Sequence, residues 1–175
     1  MKKVFSILDE EPVLSNTGTI TPNMQNNNVI EFEKVNFSYG RERVLHDVSF
    51  SINKGEKIAI VGETGAGKST IAKLILRFYL PNEGDVNFYG ESSREVSQKW
   101  ARKNIAYVPQ ESFLFRGSIK NNLIYSNPEG IDLEQELQEI GVLDWFERYE
   151  NGLDQEVGER GANVSAGERQ FIALL

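Results

Sequence analysis

The chain has 175 residues, 39% hydrophobic and 26% charged, with a net charge of −7, and that length can bury a core. With no cysteine, disulfides, thiolate-bound metal and thiol catalysis are excluded, and no apolar run reaches a membrane-spanning length or opens the chain as a signal peptide would, so these residues are expected to lie in water. The charge is uneven: residues 111–175 carry 13 acidic and 5 basic residues, residues 1–110 carry 13 and 14, and this acidic balance disfavours non-specific nucleic-acid binding.

In chain order, Met1–Leu8 reads as a short frayed helix leading into Asp9-Glu10-Glu11-Pro12 and an Asn/Thr-rich linker over Ser15–Asn28. Order is expected from Val29. Ile30, Phe32, Val35 and Phe37 partly alternate with polar residues, as in a half-buried strand, and Val48–Ile52 alternates strictly before the turn Asn53-Lys54-Gly55. Lys57–Val61 is apolar and rich in β-branched residues, which predicts a buried parallel strand.

The next residues are Gly62-Glu63-Thr64-Gly65-Ala66-Gly67-Lys68-Ser69, a full match to the phosphate-binding pattern G-x-x-x-x-G-K-[ST]. Glycines allow a tight turn whose N–H groups aim inward at phosphate oxygens. Lys68 supplies a cation for β- and γ-phosphates, and the Ser69 hydroxyl can ligate Mg²⁺. Ile71, Leu74, Ile75 and Phe78 then recur as the apolar stripe of a helix, whose positive end faces the loop. The expected phosphate-binding residues are therefore Gly62 to Ser69 together with the adjoining Thr70. A Gly-rich turn without ligand is the alternative.

Pro81–Gly84 reads as a turn, followed by alternation at Val86 and Phe88, so a small antiparallel layer beside a parallel core is expected. Beyond Gln110 the pattern becomes helical. Leu133, Leu137 and Ile140 form one stripe, with Asp132 as N-cap and Gly141 as stop; Asp144–Tyr149 and Ala166–Leu175 form two more helices. No internal repeat is present. The single histidine, His46, is expected in a surface turn without catalytic duty.

Several segments beyond the loop narrow the field. Val164-Ser165-Ala166-Gly167-Glu168 resembles the L-S-G-G-Q signature of ATP-binding cassette (ABC) ATPases. Tyr39 in Phe37-Ser38-Tyr39 looks like the adenine-stacking aromatic of that family, with a strand-end tyrosine packed on the core as its alternative. Tyr107-Val108-Pro109-Gln110 looks like the glutamine loop. Glu156–Gly161 resembles the segment that exporter-type members place against their transmembrane couplers, and Val4–Asp9 resembles the tail of an exporter's last membrane helix. The likeness runs over nearly the whole chain in the family's order.

The resemblance implies an α/β fold: a phosphate-loop NTPase core with a parallel sheet, an antiparallel β layer and an α-helical subdomain. The implied organisation is a linker from a transmembrane domain over 1–28, the β layer and core over 29–110, and the helical subdomain over 111–175. It implies ATP and Mg²⁺ as cofactors, with Ser69 and Gln110 as metal ligands, and an exporter-type transporter at the cytoplasmic face of the cell membrane. The implied partners are a transmembrane domain and a second nucleotide-binding domain, identical or different, paired head to tail. In that pairing Ser165 and Gly167 would meet the γ-phosphate held by the other domain. The departures are Ala166 for Gly and Glu168 for Gln; the latter puts a carboxylate near an anionic ligand unless it points elsewhere.

Family members continue into an apolar strand ending Asp-Glu and then a His, the hydrolytic groups. No run of four apolar residues followed by Asp-Glu occurs in these 175 residues. The chain is therefore expected to be incomplete at the C-terminus, to bind ATP, to hydrolyse it poorly unaided, and to be marginally stable alone. Two other readings remain at this stage. One is a non-catalytic nucleotide-dependent regulatory module that pairs with another cassette; the other is a different phosphate-loop enzyme such as a kinase.

Overall fold

Phe32, Val35 and Phe37 all face the core although the first two lie three positions apart, an odd spacing for a flat strand. The computed structural model, which describes residues 18–109, 111–125 and 132–175, resolves this with a bulge. Lys34 adopts φ 47° inside β1 (Asn28–Tyr39), its N–H donates to Ser49 Oγ at 2.9 Å, and the register with both neighbouring strands shifts there. Gly84 packs against the bulge: a Cβ at that position would lie 2.3 Å from the carbonyl oxygens of Glu33 and Lys34. Only glycine permits that approach, and its φ of 73° also suits no other residue well.

β1 pairs antiparallel with β2 (Glu42–Asn53) and β3 (Glu83–Phe88), and β3 with β4 (Glu91–Ser92), giving the order β2-β1-β3-β4. The antiparallel layer is thus present, and β2 is longer than the alternation over Val48–Ile52 indicated. His46 lies exposed within this strand and not in a turn. One face of the sheet meets α1 (Lys68–Ile75) in a cluster of Phe32, Val35, Phe37, Leu45, Ile71, Leu74, Val86, Phe88 and Val96. Each such side chain contributes about 1.5–3 kcal/mol on burial.

Helix α1 stops before Phe78. Arg77 turns the chain with φ 54° and buries its guanidinium, donating to the Val96 carbonyl, and Phe78 is left 53% exposed. Phe78 is therefore off the apolar stripe that its spacing suggested. α2 (Gln98–Asn104) begins at Ser97, whose hydroxyl accepts from the Trp100 N–H, and ends in Arg102 and Lys103, where the helix dipole favours cations. Ile20 forms a parallel bridge with Val96, the sole parallel pairing among the described residues.

Lys57–Val61 is not a strand here. It has no ladder partner among the described residues, and Ile58 and Val61 are 43% and 87% exposed. β propensity cannot make a strand without a neighbour to take its N–H and C=O groups. The α/β architecture with an antiparallel layer and a helical part otherwise stands.

The chain divides into two units, Met1–Ala106 and Tyr107–Leu175. The second contains β5 (Gly117–Ser118) paired with β6 (Glu156–Val157), and the helices α3 (Ile119–Leu123), α4 (Leu133–Ile140) and α5 (Ala166–Leu174), with a 3₁₀ turn over Leu143–Arg148. The Asp132 carboxylate accepts from Gln135 N–H at 3.2 Å, and Gly141 closes α4, as the sequence indicated. Its core is Leu114, Ile119, Leu137, Phe146, Val157, Val164 and Ile172. Trp145 lies on Phe171 at 4.3 Å between centroids, and the Arg148 guanidinium sits 4.0 Å above the Trp145 ring. Among the described residues no helix is long and apolar enough to cross a membrane. The expected helix Met1–Leu8 and the rest of residues 9–17 lie outside the described residues.

Candidate nucleotide-binding site

The segment Gly62–Gly67 runs as an irregular loop into α1, and Gly67 is the last residue before the helix. It is buried at φ 83°, and a Cβ would meet Leu45 Cδ2 at 2.6 Å and Val44 Cγ1 at 3.2 Å. The β2 side chains Val44 and Leu45 therefore back the loop, a role that no motif announces. α1 has no side-chain cap. The N–H groups of Gly65, Gly67, Lys68 and Ser69 find no backbone acceptor among the described residues, whereas Thr70 and Ile71 both donate to the Gly67 carbonyl. Four unclaimed donors at a helix N-terminus form a concavity suited to an anion.

Lys68 folds back into this loop. Its Nζ donates to the carbonyl oxygens of Gly62 at 2.8 Å and Glu63 at 2.6 Å, which holds the ammonium against the backbone that carries the free N–H groups. The Glu63, Thr64, Gly65, Ala66 and Ser69 positions are exposed, so the Ser69 hydroxyl is open to solvent. Donor set, cation and lack of Cβ crowding fit a phosphate chain; a neutral or cationic ligand would find little to bind.

Thr70 is buried and its Oγ1 lies 3.4 Å from the Tyr39 hydroxyl, which joins the end of β1 to α1. The Tyr39 ring is half-buried. Phe37 and Tyr79 pack on it edge to face, and the exposed Lys73 ammonium lies over the ring, 5.4 Å from its centroid. The ring face under Lys73 is thus covered by a side chain that is itself exposed. Lys73 and Tyr79 carried no sequence signal beyond their types.

In the second unit, Ser165 caps α5 and forms a full capping box with Glu168. The Ser165 N–H donates to Glu168 Oε2 at 2.9 Å, and the Glu168 N–H donates to Ser165 Oγ at 3.2 Å. The Ser165 hydroxyl and N–H hold the Glu168 carboxyl below its ordinary value of 4.5, with help from Tyr149 and Arg148. The carboxylate therefore turns back on its own helix. The Tyr149 hydroxyl is buried beside it without a hydrogen bond of good geometry, and burial, then the Glu168 charge, push its pKa up to about 12. Ala166 and Gly167 are exposed, and space around Gly167 is open. Preceding the helix, Asn163 ties Gly158 N–H (2.7 Å) to the Glu156 carbonyl (2.8 Å), and Arg169 Nη1 donates to Gly161 and Val164 carbonyls. Gln110 lies outside the described residues. Among those described, no group of three or more His, Asp or Glu could hold a metal by itself.

A protein-family model described as ABC transporter matches residues 45–175. A putative export ATP-binding/permease protein of Rickettsia bellii is 35% identical over 99% of this chain and 31% of its own length. An ATM1-type heavy metal exporter of Novosphingobium aromaticivorans is 36% identical over 99% of this chain and 29% of its own. A solved structure of a bacterial Atm1-family ABC exporter with ATP bound superposes with a TM-score of 0.87 at 35% identity, again over 99% of this chain and 31% of that one. The chain thus spans about a third or less of these proteins. Since the family match covers well over half of its residues, the chain belongs to the ABC transporter family.

Proposed function

We propose that this chain is the ATP-binding part of an exporter-type ABC transporter, whose domains couple ATP binding and hydrolysis to movement of a solute across a membrane. The carrying observation is the loop at the start of α1, where free N–H groups and the Lys68 ammonium converge. In this reading Gly62, Glu63, Thr64, Gly65, Ala66, Gly67, Lys68, Ser69 and Thr70 hold the phosphates, Ser69 and Gln110 ligate Mg²⁺, and Tyr39 stacks the adenine. The metal would neutralise phosphate charge. Ser165, Ala166, Gly167 and Glu168 then face the nucleotide of a second nucleotide-binding domain, and a transmembrane domain attaches at the cytoplasmic side of the membrane.

Hydrolysis belongs to the assembled family member; the 175 residues bind ATP and release phosphate slowly when alone. Calorimetric titration tests the binding, and an assay of released phosphate tests the hydrolysis. Lys68→Ala removes a charge-assisted contact worth about 3 kcal/mol, roughly a hundredfold in Kd, and should leave ATP binding undetectable. Unchanged ATP affinity in that variant, or rapid phosphate release by the unmodified chain, would contradict the proposal.

A further inference from the structure

Tyr39 alone is a loosely held side chain at the end of an edge-proximal strand, yet its ring is fixed from several sides. Phe37, two residues earlier on the same face of β1, sits 4.9 Å from it at 87° between planes. Tyr79, from the segment after α1, sits 5.2 Å away, also at 87°, and meets Phe37 at 5.5 Å and 62°. The three rings form a closed edge-to-face triad, the geometry their quadrupoles favour. Phe37 is buried and serves the core cluster; Tyr79 is half-buried and packs at its margin. The remaining restraint is the hydroxyl contact to Thr70, and the ring face under Lys73 carries only that exposed ammonium, 5.4 Å from the centroid.

We infer that Tyr79 is a positioning residue for the base: it holds the Tyr39 ring in the orientation that a purine stacks on, without touching the nucleotide itself. This rests on the proposed reading of Tyr39 and the phosphate loop. The physical reason is entropic. A ring already confined loses little freedom when a base settles on it, whereas an unconfined ring must be ordered at that moment. The ring of Tyr79 carries the effect, so its hydroxyl is dispensable.

The test compares ATP with inorganic tripolyphosphate, which has the charge but no base, by calorimetric titration of the chain. Tyr79→Leu should weaken ATP about fivefold and leave tripolyphosphate within about twofold, while Tyr79→Phe should match the unmodified chain for both. In a Tyr39→Ala background, Tyr79→Leu should cause no further loss, as coupled residues require. Equal losses for both ligands would mark Tyr79 as merely structural and overturn the inference. So would a loss that persists without Tyr39, or no loss at all. If instead Lys68→Ala leaves both ligands bound as before, the phosphate-loop reading fails and the inference falls with it.

Discussion

Two helices of this chain begin in glycine-containing motifs and treat their first turns in opposite ways. α1 starts from Gly67 with no side-chain cap, and its leading N–H groups find no backbone acceptor among the described residues while a lysine folds back beside them. α5 starts from Ser165 with a complete capping box, so serine and glutamate satisfy each other's N–H groups. A helix N-terminus always presents orphan donors. What differs is whether the chain answers them itself. α1 leaves its donors unanswered by a side chain, as the proposed phosphate site requires; α5 uses its own on order, and leaves an exposed edge at Ala166 and Gly167. The glutamate that stands where the family has glutamine is thereby turned away from any ligand approaching that edge.

Closing the open terminus should cost most. Gly67→Ala places a methyl 2.6 Å from Leu45 Cδ2 at a φ of 83°, so both the contact and the backbone must shift. A loss of about 1–3 kcal/mol in stability is expected in chemical denaturation, together with a larger drop in ATP affinity than the stability loss explains. A variant that melts like the parent and binds ATP normally would show that the close backing by β2 is unimportant.

Opening the closed terminus should cost less. Ser165→Ala removes the cap of α5 and should destabilise the second unit by about 1 kcal/mol, seen as faster amide exchange along Ala166–Leu174. Nucleotide affinity of the phosphate loop should be unchanged. If affinity falls as much as in Gly67→Ala, the two termini are not independent and the contrast is lost.

The same contrast explains which features could be read from sequence. The phosphate loop was legible because four of its eight positions have a backbone, charge or ligand requirement that leaves a fixed residue type at a fixed spacing. α4 was legible for a similar reason, with Asp132 and Gly141 marking its ends. Features that depend on a partner were not. Lys57–Val61 has strand composition but no neighbour to pair with among the described residues, so propensity misled. Phe78 fits a helical stripe, yet Arg77 ends the helix first by burying its side chain. The bulge at Lys34 leaves no residue signature, because the constraint sits at Gly84, fifty residues away. Tyr79 and Lys73 reach Tyr39 only through the fold, as does Tyr149 reach Glu168. The glycine in each motif hides their opposite capping, which depends on Glu168 at the third helical position of α5.

The smallest expected effect is titration of the closed terminus. Glu168 has a folded-state pKa below its ordinary 4.5, chiefly through the Ser165 hydroxyl and N–H. Its contribution to stability is therefore present above pH 4.5 and is lost as pH falls through the lowered value. Tyr149 works in the other direction: raised to about 12 from 10.0, it contributes fully below pH 10 and loses that contribution as pH rises toward 12. Far-ultraviolet melting of the chain and of Glu168→Gln between pH 3 and pH 7 isolates the first term. Glutamine at this position can still complete a capping box but carries no charge. The variant should be slightly less stable than the parent at pH 7, and the gap should close as the parent's carboxylate takes up its proton. A gap that stays constant over that range would assign the glutamate's role to shape alone; one that closes shows the capping box of α5 to be held by charge, the opposite of α1, whose donors wait for charge from outside.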